Sequence, residues 1–170
     1  MTFTAPLTRI EQPGVAGERE ALAAGLDYHR ATLVTKLDGL DDEQLRRRMT
    51  PTGLSPLGLV KHLWGVEQWW FAIQFARADE PVMWVTDDDM DADFRVEPDE
   101  TADGIVAGYL AACERSRQIA AAASLDDTVP NRRRGRVDLR WVLLHVLEET
   151  ARHNGHMDIM REMIDGVTGE

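Results

Sequence analysis

The stretch Val142 to Ile164, VLLHVLEETARHNGHMDIMREMI, constrains the fold more than any other part of this chain. At about 100° per residue, Val142, Val146, Met157, Met160 and Ile164 fall within about 40° of the direction of His153. That is the apolar stripe of an amphipathic helix, and Glu149 points the same way. Two polar side chains spaced i and i+4 thus sit on the face that should be buried. A carboxylate buried without a partner costs several kcal/mol or more, so the stripe requires something to satisfy Glu149 and His153.

Three more segments show helical periodicity. The first runs from about Glu18 to Leu37, with Leu22, Leu26, His29, Leu33 and Leu37 near one face. The second opens at Ser55-Pro56, a hydroxyl N-cap followed by proline at the first helical position, and continues to about Arg77. The third spans about Thr101 to Ala123. The last helix starts at Asp138 as N-cap and stops near Asp165-Gly166. No strand alternation exceeds a few residues. The link from about Ala78 to Glu100 is long against the typical 2–8 residues of helix–helix connections in bundles. Such a link allows consecutive helices to run parallel through a crossover. The expected fold is all-α, a single four-helix bundle over residues 1–170 with an extended segment at 1–15.

Composition narrows the function classes. The chain has 170 residues, enough for one core and too few for two ordinary domains. A net charge of −11 argues against a nucleic-acid partner or an anionic membrane surface. No apolar run approaches the ~20 residues of a membrane span, and the first residues lack the pattern of a signal peptide. A single cysteine, Cys113, excludes an internal disulfide and fits a reducing cytoplasm.

His62 adds a polar group to the second helix. Leu59, Val66, Trp69 and Ile73 lie within about 60° of it, while Gly58, Gly65 and Ala76 flank that direction and leave room. Across the bundle, His62 would complete a set of three N/O donors with Glu149 and His153. Three protein ligands and an open position describe a catalytic metal site, whereas structural zinc sites are closed with four. A hydrogen-bonded core histidine and an i,i+4 salt bridge account for the same spacing.

The stretches SPLGLVKHLWGVEQWWF and LRWVLLHVLEETARHNGHMDIMREMIDG resemble the DinB/YfiT-like superfamily, more closely its actinobacterial mini-circle protein branch. The resemblance covers nearly the whole chain. It implies an up-down-down-up four-helix bundle with a long crossover between helices 2 and 3. It also implies a divalent metal, zinc first and nickel second, held by one His of the second helix and two i,i+4 residues of the fourth. By position these are His62, Glu149 and His153. Position 149 is His in YfiT-like enzymes and Glu in mycothiol-dependent maleylpyruvate isomerase relatives, so the chain leans to the isomerase side. His156 stands where other branches often have Gln, in a place suited to supporting a ligand or touching substrate.

The resemblance further implies a transferase or isomerase that uses a low-molecular-weight thiol on a small-molecule electrophile. A metal would hold that thiol as the nucleophilic thiolate. Basic residues are almost all arginine, with Lys36 and Lys61 the only lysines; an arginine-rich actinobacterial composition favours mycothiol over bacillithiol as co-substrate. Trp69 is the aromatic expected to line the pocket. Trp64 and Phe71 point the other way, toward another helix or the second subunit of a homodimer. The rival functions are a non-catalytic metal- or ligand-binding bundle and a hydrolase whose metal activates water.

Other chemistry-like features read as structural. Asp89, Asp91, Asp93, Glu97 and Glu100 fall in EF-hand register, but Phe94 occupies the position where the turn needs glycine. A solvated acidic loop is the expectation. The Arg132–Arg136 run (RRRGR) is expected to pair with that loop or to contact an anion. His29, His145 and Cys113 are expected to serve packing.

Overall fold

The computed structural model describes residues 1–169. Five α-helices frame the fold: α1 (Glu18–Thr35), α2 (Asp42–Arg46), α3 (Pro56–Glu67), α4 (Ala102–Ala121) and α5 (Leu139–Asp165). Two antiparallel strands, β1 (Thr128–Asn131) and β2 (Gly135–Asp138), form a hairpin directly before α5. The expectation of an all-α, single four-helix bundle is therefore corrected: the protein is mostly helical, with a fifth helix and a small sheet.

Both additions have local causes. At α2, the Asp41 carboxylate accepts from the Gln44 amide while Gln44 Oε1 accepts from the Asp41 amide. This reciprocal capping box sustains a helix barely longer than one turn. In the hairpin, Asn131 Oδ1 accepts from the Arg133 and Arg134 amides, and Gly135 takes φ +75° to close the turn. Asn supports such side-chain turns, and glycine enters the left-handed region without steric cost.

The second predicted helix runs on past α3, but not uniformly. Gln68–Phe75 winds as a π-helix before the chain turns at Arg77, φ 59°. π-helical insertions are rare and occur frequently at functional sites. Helix α3 packs on α4 and α5, and α1 packs on α5.

Two buried apolar clusters form the core. One gathers Leu33, Leu37, Leu59, Leu63, Tyr109 and Met157; the other joins Leu26, Phe71, Phe75, Leu139, Val142 and Val146. Val66 packs against both. Phe3 enters the first cluster and pairs its backbone with Gly39 and Leu40, which ties down the amino-terminal segment. Trp64 lies over Gly108 of α4, where a Cβ would meet its ring at 2.2 Å, and Phe71 is buried. Of the two partners expected for this pair, another helix or a second subunit, the first is present within the chain.

Candidate metal centre

Ser55 caps α3 by accepting from the Gly58 amide, and Pro56 starts its first turn. This entry sets the rotation of the helix and turns His62 toward α5. There, His62, Glu149 and His153 offer ligand atoms that all lie within 4.8 Å of one another. The His62 and His153 rings stand 4.9 Å apart, nearly edge to face, and His153 Nε2 is 3.7 Å from Glu149 Oε2. Among the described residues no other group of three His, Cys, Asp or Glu side chains comes together in this way.

The electrostatics of His153 bear on its approach to Glu149. Burial, followed by the neighbouring His62 and His156, pushes the His153 imidazole down to about 4. At neutral pH the ring is therefore uncharged, so its approach to Glu149 is not an ion pair. A neutral imidazole is the form that coordinates a metal. Two imidazoles and a carboxylate make a donor set suited to zinc, and the side chains are partly buried, His153 being 12% exposed. The residues present thus fit a divalent ion.

The surroundings differ on the two sides of the cluster. His153 opens on a cavity of about 550 Å³ whose wall includes Arg48, Thr52, Leu54, Phe94 and His156. His156 Nδ1 lies 3.3 Å from His153 Nδ1. Arg95 and Asp89 pair at the same cavity. Trp69 is 38% exposed and lines a second, apolar cavity of about 360 Å³ with Val66, Trp70, Val82, Val85 and Met90. His153 and His156 face the polar cavity, and Trp69 faces the apolar one.

Carboxylates of the acidic crossover meet basic side chains of the protein. Asp89 pairs with Arg95, Glu100 with Lys61, and Asp93 with His62. The arginine-rich turn lies with the hairpin: Arg136 bonds Thr128, and Arg134 sits over the Trp141 ring. His145 stacks on Trp141 and meets Trp70 edge to face, while the His29 ring meets Tyr28 edge to face and lies 3.4 Å from Asn154 Nδ2, so both pack against neighbouring side chains.

Asp93 is the residue the sequence reading missed. It was hidden in a run of acidic residues expected to be solvated, yet it is 5% exposed and directed at His62. The only local signal was Phe94 beside it, an aromatic in an otherwise polar stretch, which anchors this turn by stacking on the His62 ring at 4.0 Å.

A mostly helical protein with a His/Glu/His cluster between two helices defines a DinB-like class, as the two quoted helical stretches implied. The model of the mycothiol-S-transferase family matches residues 21–166, and the chain belongs to that family. No curated protein matches it. In the described residues no helix is long and apolar enough to cross a membrane.

Proposed function

We propose that this protein is a divalent-metal-dependent transferase that joins the thiol of mycothiol to a small electrophile, with His62, Glu149 and His153 as the metal ligands. The observation that carries the reading is the convergence of these donors beside a cavity of about 550 Å³, in a member of the mycothiol-S-transferase family. Zinc is the expected ion, with nickel second. When bound, such an ion holds a thiol as the thiolate and supplies the nucleophile at neutral pH.

The protein's own residues then bind and orient. Arg48, Thr52 and the Arg95–Asp89 pair present hydrogen-bonding groups to a polyhydroxylated thiol, and Leu54 and Phe94 keep the inner wall apolar. His156, on the rim of the same cavity, supports His153 and is placed to touch substrate. One domain carries the whole site. Reduced, buried Cys113 and a thiol co-substrate both fit a reducing cytoplasm.

Elemental analysis of untagged protein after zinc reconstitution, paired with a mycothiol conjugation assay on a bimane electrophile, tests the proposal. Stoichiometric zinc, its loss in His153→Ala, and conjugation above the uncatalysed rate only in zinc-loaded protein are expected. Failure to retain zinc after reconstitution refutes the ligand assignment. Turnover of an ester without any thiol would point to the hydrolase instead.

A further inference from the structure

Asp93 belongs to neither ligand-bearing helix. It sits in a short 3-10 turn, Ala92–Phe94, within the crossover, and the chain brings it against α3 from outside. Its Oδ2 lies 2.8 Å from His62 Nδ1, while Oδ1 is buried with no hydrogen-bond partner among the described residues. A buried carboxylate with one unsatisfied oxygen is costly, and such an exception calls for a functional or structural reason. The nearby cations are engaged elsewhere: Lys61 bonds the Arg95 carbonyl and Glu100, and Arg95 pairs with Asp89. The hydrogen bond the Asp93 side chain does make is to the His62 ring.

Imidazole has two nitrogens, and a hydrogen bond at one determines which is left to coordinate. An acceptor carboxylate at Nδ1 requires the proton there, so Nε2 carries the free lone pair. On α5 the equivalent contact differs: His153 Nδ1 meets the exposed imidazole of His156, a partner that can either donate or accept. Asp93 can only accept when ionised, so it imposes one tautomer where His156 does not.

From this geometry we infer that Asp93 is a positioning residue, which holds His62 as the Nδ1–H tautomer and directs Nε2 toward Glu149 and His153. The inference rests on His62 being a metal ligand, as proposed above. Glycine at 58 makes the contact feasible, while a Cβ at position 65 would only reach ordinary contact distance. The Phe94 carbonyl oxygen lies 2.3 Å from a Cβ built on Gly58, and Asp93 Oδ2 lies 3.7 Å from one built on Gly65. The space beside His62 is filled by this turn of the crossover.

Nitrogen-15 NMR of the metal-free wild type, at about two pH units above the ordinary imidazole pKa, reads the His62 tautomer directly. Nδ1–H is expected, the opposite of what free histidine prefers; Nε2–H overturns the inference, and no variant has to fold for this reading. Zinc affinity by chelator competition supplies the second measurement. Asp93→Ala is expected to bind zinc about 10–100-fold more weakly and to shift His62 toward Nε2–H. Asp93→Asn keeps an acceptor oxygen, and is expected to retain the tautomer and recover part of the affinity. Equal zinc affinity in wild type and Asp93→Ala overturns the inference. Should the wild type bind no zinc, the ligand assignment fails, while the tautomer still decides whether Asp93 orients His62.

Discussion

The carbonyl oxygen of Phe94 lies 2.3 Å from the point where a Cβ on residue 58 would stand, so the crossover docks on α3 only because that residue is glycine. Gly58→Ala is expected to destabilise the protein by about 1–3 kcal/mol, the usual cost of overpacking, read by urea denaturation. Gly155, exposed within α5, has nothing within 4 Å of its Cβ position. Gly155→Ala is expected to stabilise by about 0.5–1 kcal/mol through helix propensity. Equal effects at the two sites would contradict the docking argument.

Arg30 and Glu67 form a bidentate pair at 2.7 and 2.6 Å, with side chains 4% and 1% exposed. Replacing one partner strands a buried charge. Arg30→Met alone should cost about 3–5 kcal/mol, and adding Glu67→Leu should recover much of that loss. A double-mutant cycle in urea checks it; additive losses would show that the pair is not coupled.

Burial pushes the Cys113 thiol well up, and the nearby Glu67 carboxylate adds to the effect. The reactive species is the thiolate. Native protein at pH 8 should therefore leave Cys113 unmodified by an aromatic disulfide reagent, with full reaction on unfolding. Rapid labelling of the folded protein would place the side chain outside the core.

The His153 imidazole is held down to about 4 from its ordinary 6.5. As pH falls, the unfolded chain takes up this proton before the native state does. Metal-free protein should keep the full contribution above about pH 6.5 and lose it progressively down to about pH 4. The interval corresponds to at most about 3 kcal/mol. Urea denaturation of chelator-treated protein across this range should show a steeper fall in wild type than in His153→Ala.

The long helices were readable because each carries a 3.6-residue apolar stripe and a recognisable start. Ser55-Pro56 and Asp138 do cap α3 and α5 as expected. The capping box at Asp41–Gln44 was present in the sequence, but a five-residue helix offers too few turns for a period. The hairpin escaped for a similar reason: strands of four residues show almost no alternation, and its turn depends on Asn131 and Gly135 acting together. The π-helical winding after Glu67 departs from the 3.6-residue period, but a run of eight residues is too short to show a period of its own in the sequence.

For the site, the sequence by itself determined that Glu149 and His153 share the apolar stripe of one helix and that His62 lies on the apolar face of another, because side-chain direction on a helix follows from spacing alone; that the two faces meet is a tertiary fact. Which other groups reach them was decided only by the tertiary structure. Asp89, Asp91 and Asp93 are equivalent as text, yet Asp93 alone of these is buried against His62, while Trp69 turns to a separate cavity. The crossover has no period of its own. Its path depends on the close approach that Gly58 allows and the stacking of Phe94 on His62, contacts between residues about 30 or more positions apart.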